Sequence, residues 1–299
     1  PAVTTKFTEN DELDLQLFET NINAQLEAGV SGIILGGTLG EASTLEQEEK
    51  DILVTTTLGL VSGRIPVIIN IAEQTTKTAI KSAQRAEELG ANGLMLLPPM
   101  RYKADSRETT AYLKAVAECT DLPIMIYNNP VDYGIEVTLD MFEELAKYPN
   151  VQAVKESTRD ISNITRMKSR FGDRFQILSG VDTLALESLL MGADGWVAGL
   201  VCAYPAETVA IFNLAKQGRF LEAREIYSWF LPLLELDINT KLVQNIKLAE
   251  VATGIGSEHV RAPRLPLIGE ERAHVESVII KANAERPNVQ QYLKDTVLA

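Results

Sequence analysis

The chain alternates short apolar runs with longer amphipathic stretches, and this alternation restricts its fold more than any other feature. Small and branched residues typical of buried parallel strands occur in eight runs, at residues 3–7, 32–36, 66–71, 93–97, 123–127, 151–155, 176–179 and 195–198. Helical patterns lie between these runs, with a capping box at Ser43 and Glu46, an N-cap at Thr138 and stops at Gly90 and Gly172. The alternation predicts an α/β fold, a (β/α)8 TIM barrel. An open doubly wound sheet is the alternative, because periodicity does not show closure.

Strand patterns end near residue 221, and the rest of the chain is helical in pattern. Three helices are expected at 222–236, 240–253 and 271–284, and Pro232 is expected to kink or interrupt the first of them. We therefore predict a barrel with the active site over residues 1–221 and a C-terminal helical extension over residues 222–299.

Composition limits the classes of function. The net charge of −13 argues against nucleic-acid and membrane binding, and no apolar run approaches the length of a membrane span. Two distant cysteines, Cys119 and Cys202, favour a reducing, cytoplasmic location. The two histidines lack the spacing of metal ligands, so no metal site is expected. A protein that acts on small molecules fits these observations.

A lysine stands at the end of the sixth predicted strand, in Val151-Gln-Ala-Val-Lys155. An ammonium group that is partly withdrawn from water loses its proton more easily, because desolvation disfavours the charged form. The neutral amine can attack a carbonyl carbon, so Lys155 is a candidate Schiff-base nucleophile. Alone, such a lysine is more often a solvated charge.

Other strand ends also carry candidate residues. The second strand runs into Gly36-Gly37-Thr38-Leu39-Gly40-Glu41, whose backbone N–H groups are suited to hold a carboxylate or phosphate. The fifth ends in Tyr127-Asn128-Asn129-Pro130, where a tyrosine hydroxyl can transfer protons. A plain strand-to-helix turn and a buried core tyrosine are the alternatives. Gly180 and the Gly-Trp-Val-Ala-Gly segment around Val197 leave room for a ligand or form tight turns.

In a barrel of this kind, active residues gather at the carboxyl ends of the strands. Lys155, Tyr127 and the Gly-Thr loop would then share one cavity, with the lysine forming an imine, the tyrosine transferring protons and the loop holding a carboxylate. This combination describes chemistry on a 2-oxo acid.

These motifs resemble the dihydrodipicolinate synthase/N-acetylneuraminate lyase family of class I Schiff-base enzymes. Four ordered segments carry the resemblance, which spans nearly the whole chain: Gly37-Thr-Leu-Gly-Glu41, Gly90-Ala-Asn-Gly93 with Leu97-Pro-Pro99, Tyr127-Asn-x-Pro130 and Lys155-Glu-Ser157. The resemblance implies a homotetramer without a metal or organic cofactor. By position it implies Lys155 as the Schiff-base lysine, Tyr127 as the general acid/base and Thr38 in the proton relay. The substrate-binding residues would be Gly37, Leu39, Asn129, Asp132, Gly180 and Val197.

Departures from the family pattern bear on the substrate. Asp132 stands where the synthases of dihydrodipicolinate carry an arginine for the second substrate's carboxylate, and an anion there would repel that substrate. Leu39 replaces a hydroxyl residue of the loop and makes the pocket less polar.

The segments around Tyr127, Gly180 and Trp196 are similar to a catabolic subgroup, the 1-pyrroline-4-hydroxy-2-carboxylate deaminases of hydroxyproline catabolism. The resemblance implies a lyase or hydrolase that opens a cyclic imine, with loss of water and ammonia, to give 2-oxoglutarate semialdehyde. The alternatives are a 2-keto-3-deoxy acid aldolase or dehydratase, a dihydrodipicolinate synthase-type condensation of pyruvate, and a 2-oxo-acid sensor without catalysis.

Overall fold

The structure is a computed structural model that describes residues 1–293. The strands are β1 Ile33–Leu35, β2 Val67–Ile71, β3 Gly93–Leu96, β4 Ile124–Asn128, β5 Val151–Glu156, β6 Gln176–Ser179 and β7 Gly195–Trp196. The helices are α1 Leu15–Ala28, α2 Gln47–Val61, α3 Thr76–Glu88, α4 Ser106–Ala117, α5 Pro130–Tyr133, α6 Leu139–Leu145, α7 Ser162–Phe171, α8 Ala185–Leu190, α9 Pro205–Lys216, α10 Phe220–Leu234, α11 Leu242–Thr253 and α12 Gly269–Ala284.

The described chain forms two compact units. The first unit contains residues 1–65 together with the segment from residue 198 onward, and the second contains residues 66–197. The boundary predicted after residue 221 stays a prediction, and the last six residues of the predicted C-terminal region lie outside the described residues.

The second unit is a parallel sheet with helices between its strands. Strands β2 to β7 follow one another across the sheet in chain order, as expected when a helix returns the chain to the same edge. All five residues of β4 are buried, as is typical of a parallel strand covered on both faces. The carboxyl ends of these strands therefore share one edge, and that edge carries Lys155.

The first predicted strand, at residues 3–7, does not form. Ala2 makes an isolated parallel bridge to Ile34 of β1, and its N–H donates to the carbonyl of Ala198. Further along, the chain turns back instead of extending, because Thr8 N–H bonds to the carbonyl of Glu12, 2.9 Å away. The prediction of a regular strand at this position is wrong.

Helix ends agree with the sequence at most of the predicted positions. Thr138 accepts a hydrogen bond from Met141 N–H at the start of α6, and Gly172 follows α7 with a φ of 57° that only glycine adopts easily. The position predicted for the capping box of α2 is wrong, however. The box joins Glu46 and Glu49, while Ser43 lies in a short 3-10 helix.

Three helices, α10 to α12, follow the barrel pattern as predicted. Helix α10 continues through Pro232 to Leu234. The predicted interruption at the proline is absent, because the proline lies in the last turn, where little helix remains to be disturbed. The alternative prediction, a kink, stays a prediction. No helix among residues 1–293 is long and apolar enough to cross a lipid bilayer.

Candidate active site

Two adjacent strands place Tyr127 beside Lys155. In the parallel register of β4 and β5, Tyr127 lies opposite Lys155 and Asn128 lies opposite Glu156. Paired residues project to the same face of a sheet, and successive residues alternate between faces. The Lys155 Nζ atom lies 4.1 Å from the centroid of the Tyr127 ring, and both residues are buried. The structure thus brings these two predicted site residues together.

Gly180 gives the lysine side chain its space. A Cβ atom at this position would lie 2.7 Å from Lys155 Cγ, 2.8 Å from Lys155 Cε and 2.1 Å from Ser157 Oγ, distances that real Cβ atoms do not show. The sequence left open whether this glycine formed a tight turn or made room for a ligand. In the structure it makes room for Lys155, and its predicted role in substrate binding stays a prediction.

The segment after β4 holds the tyrosine hydroxyl. Asn129 caps the short helix α5, because its side-chain oxygen accepts from Asp132 N–H. Its side-chain amide donates to the Tyr127 hydroxyl at 3.1 Å and to Asp132 Oδ2 at 2.7 Å. One asparagine thus connects Tyr127 with Asp132. The structure brings together Lys155, Tyr127, Asn129, Asp132 and Gly180, all in the second unit.

Glu156 projects from the opposite face of β5 and was not predicted as a site residue. Its carboxylate accepts hydrogen bonds from Thr158 N–H at 2.8 Å and from the Asn163 and Asn128 amides at 2.9 and 3.3 Å. Burial raises the pKa of Glu156, and these donors oppose that effect only in part. Its bonds join β4, β5 and α7 behind Lys155, so its role is to fix the strand end. The alternation of side chains along β5 is the sequence signal that places Glu156 and Lys155 on opposite faces of the sheet.

The loop after β1 lies in the first unit. Thr38 is exposed and Leu39 is buried, while the Thr38 carbonyl accepts from Glu41 N–H at 3.1 Å. Glu41 has a φ of 51°, a strained value for a residue with a side chain. Its fully buried carboxylate lies 2.6 Å from Lys247 Nζ, which holds the loop in place. The roles predicted for Gly37, Thr38 and Leu39 stay predictions.

The remaining predicted residue, Val197, is buried directly after β7, and its N–H donates to the Ser179 carbonyl at 2.8 Å. Its predicted role in substrate binding stays a prediction. Arg159 was missed by the sequence analysis, although it lies four residues after Lys155 and its Nη2 atom is 3.5 Å from Asp132 Oδ1. Within residues 1–293, no cluster of three His, Cys, Asp or Glu side chains is arranged to hold a metal ion.

Known proteins share both the sequence and the fold. A 4-hydroxy-tetrahydrodipicolinate synthase from Exiguobacterium sibiricum is 36% identical over 275 residues, which are 91% of this chain and 92% of the relative. The solved structure of the 4-hydroxy-tetrahydrodipicolinate synthase from Methylacidiphilum fumariolicum matches with a TM-score of 0.92 at 27% identity and covers 97% of each chain. A dihydrodipicolinate synthase from Acinetobacter baumannii, solved with pyruvate, matches with a TM-score of 0.90 at 26% identity over 94% of this chain and 97% of its own.

These likenesses confirm the predicted α/β class and (β/α)8 barrel. The profile of the Dihydrodipicolinate synthetase family matches residues 1–282, which confirms the resemblance drawn from the four sequence motifs. The chain therefore belongs to the dihydrodipicolinate synthetase family, whose members are lyases that work through a lysine Schiff base and no separate cofactor.

Proposed function

We propose that Lys155 forms an imine with a 2-oxo acid, in the first place pyruvate, and that the enzyme makes or breaks a carbon–carbon bond at C3 of that acid. The observation that carries the proposal is the lysine Nζ atom 4.1 Å from the centre of the Tyr127 ring, at the carboxyl edge of the sheet. A lysine amine supplies the nucleophile, and a neighbouring phenol supplies proton transfer.

The chemistry follows from these two groups. The amine attacks C2 of the 2-oxo acid, and loss of water leaves a protonated imine that draws electrons from C3. A proton leaves C3, the resulting enamine adds to an aldehyde carbonyl, and water then hydrolyses the imine to release the longer 2-oxo acid. The reverse sequence cleaves such an acid. We assign the proton transfers to Tyr127, with Thr38 as relay partner and the backbone of Gly37 and Leu39 as the binding site of the substrate carboxylate.

The relatives favour condensation of pyruvate over deamination. The compared proteins are named as synthases, and one was solved with pyruvate. Dehydration and deamination of 1-pyrroline-4-hydroxy-2-carboxylate, the activity that the sequence motifs favoured, has no support among them and stays a prediction. Aldol cleavage of a 3-deoxy-2-oxo acid uses the same imine and differs only in the direction of the reaction.

Borohydride trapping tests the proposal. The protein is incubated with pyruvate or with 1-pyrroline-4-hydroxy-2-carboxylate, reduced, and analysed by intact mass and peptide mapping, while released ammonia is assayed in parallel. We expect an adduct on Lys155 with pyruvate and no ammonia. An adduct from the pyrroline together with ammonia would instead support the deaminase. Absence of an adduct from both compounds would contradict the Schiff-base mechanism.

Two variants control this experiment. Lys155→Ala should retain the fold, measured by circular dichroism, and form no adduct. If it bound pyruvate as tightly as the parent protein, a 2-oxo-acid sensor would become the better description. Gly180→Ala keeps the lysine itself but adds a methyl group that overlaps the Lys155 side chain. This variant should therefore form the adduct more slowly than the parent protein.

The homotetramer is a further prediction from family likeness, and the cytoplasmic location is one from the use of cysteine. Light scattering coupled to size exclusion tests the homotetramer directly. A cytoplasmic location stays a prediction as well.

A further inference from the structure

Arg159 lies at the same strand edge as the proposed Schiff-base lysine and is not used by the mechanism above. It follows β5 by three residues and has a φ of 62°, a left-handed conformation that costs energy for a residue with a Cβ atom. Strained backbone of this kind persists where surrounding contacts hold it. In this case the side chain reaches back to Asp132, with 3.5 Å between Nη2 and Oδ1.

A line of contacts connects this guanidinium with the reacting lysine. Asp132 accepts from the Asn129 amide at 2.7 Å, and the same amide donates to the Tyr127 hydroxyl at 3.1 Å. Tyr127 in turn packs against Lys155. Arg159 is therefore linked, through these contacts, to the side chains that we assign to the reaction.

The guanidinium has capacity for a further anion. Arginine carries five N–H donors in a planar fork, and the contact to Asp132 is longer than an ordinary hydrogen bond. Asp160, the acidic residue that follows Arg159 in the chain, already accepts hydrogen bonds from the Ser162 N–H at 3.0 Å and from Arg166 at 2.7 Å. The Arg159 side chain is 43% exposed, so a ligand can reach it.

We infer that Arg159 binds a second, distal carboxylate of the reacting 2-oxo acid, and that this carboxylate takes the place that Asp132 occupies beside the guanidinium in the free protein. A carboxylate matches the arginine fork with two parallel hydrogen bonds. The inference rests on the proposed Schiff-base function and adds to it the charge class of the extended substrate. It also accounts for an acidic residue at position 132, because the ion pair with Arg159 offsets its charge.

A pair of 2-oxo acids of equal length tests this inference. 2-Oxoglutarate and 2-oxopentanoate both have five carbons, and only the former carries a distal carboxylate. The concentration for half-maximal borohydride trapping on Lys155 is measured for both acids with the parent protein and with Arg159→Gln. We expect the variant to raise the value for 2-oxoglutarate by about 10-fold or more, the range for a lost bond between charged groups, and to leave the value for 2-oxopentanoate within about 2-fold.

Matched variants sharpen the result. Arg166→Gln removes an exposed arginine on the neighbouring helix α7 and should change neither value. Arg159→Lys should recover part of the binding, since it restores the charge without the fork. Added salt should weaken binding of 2-oxoglutarate and not of 2-oxopentanoate, because the arginine is exposed to solvent.

The outcomes separate this inference from the function on which it rests. No adduct with pyruvate in the parent protein would contradict the Schiff-base function itself, whereas an adduct with pyruvate but with neither five-carbon acid would overturn the role of Arg159 alone. Adducts with both acids but an equal effect of Arg159→Gln on the two would overturn the role of Arg159 alone. The same holds if the parent protein traps 2-oxopentanoate and fails to trap 2-oxoglutarate.

Discussion

Two ion pairs of the first unit and one ion pair of the second unit each join a cationic side chain to a carboxylate. The pairs of the first unit are buried, whereas the pair of the second unit is exposed to solvent. Lys6 with Glu250, and Lys247 with Glu41, are fully buried at 2.9 and 2.6 Å. Asp132 and Arg159 lie 3.5 Å apart and are about half exposed. Buried charges must be paired because burial without a partner is costly, whereas an exposed pair can exchange one partner for a ligand at small cost.

Both members of the buried pair of Lys247 and Glu41 have a further partner. Lys247 also donates to the His259 carbonyl at 2.6 Å, and the second oxygen of Glu41 accepts from Arg261 N–H at 3.1 Å. Burial lowers the pKa of Lys247 to about 8, and Glu41 opposes this effect. The buried pair thus joins the loop after β1 to helix α11 and to the segment that follows it. Burial and number of partners, rather than charge, therefore distinguish a structural ion pair from one available to a substrate.

The largest effect is expected from Lys247→Met, which leaves the Glu41 carboxylate buried without its ammonium. Breaking a buried ion pair costs about 3–5 kcal/mol of folding free energy, and urea denaturation measures it. Lys241→Met is the matched control, because Lys241 directly precedes the same helix and its ion pair with Glu271 is exposed. We expect that control to cost less than about 1 kcal/mol. Equal losses in the two variants would contradict the comparison.

A smaller effect is expected from Glu156→Gln, and it depends on pH. The raised pKa of Glu156 means that the folded chain holds this proton more tightly than the unfolded chain does. Its contribution to stability is therefore complete below a pH of about 4.5, the unfolded value, and is lost as the pH rises through the folded pKa. A pKa that is higher by one in the folded chain than in the unfolded chain corresponds to about 1.4 kcal/mol.

Urea midpoints of the parent protein and Glu156→Gln across pH 4 to 8, on the order of one measurement per half unit, check this expectation. The parent protein should lose stability with rising pH relative to the glutamine variant, since glutamine does not ionise. Parallel pH profiles would show that the folded environment does not raise the pKa of this carboxyl.

The sequence allowed the second unit to be predicted better than the first, and the reason is physical. Parallel strands carry their own periodic signal, so Lys155 and Tyr127 could be placed on adjacent strand ends by their sequence pattern alone. The ion pair of Lys247 and Glu41 joins residues 206 positions apart, and no local pattern pairs residues at that distance. Arg159 was missed for a related reason, because its contact is with Asp132 on helix α5, and no local pattern pairs these two residues.

The smallest effect on stability is expected at the exposed pair, where function should change more than folding. Arg159→Gln and Asp132→Asn should each change the free energy of unfolding by less than about 1 kcal/mol. Their effects on trapping of 2-oxoglutarate should have opposite signs. Loss of the arginine removes the group that binds the carboxylate, whereas loss of the Asp132 charge removes a competing anion and leaves an oxygen that still accepts from Asn129. If Asp132→Asn instead weakened 2-oxoglutarate binding as strongly as Arg159→Gln does, the pair would act as one structural unit. The exposed ion pair of the second unit would then differ from the buried ion pairs of the first unit only in its exposure to solvent.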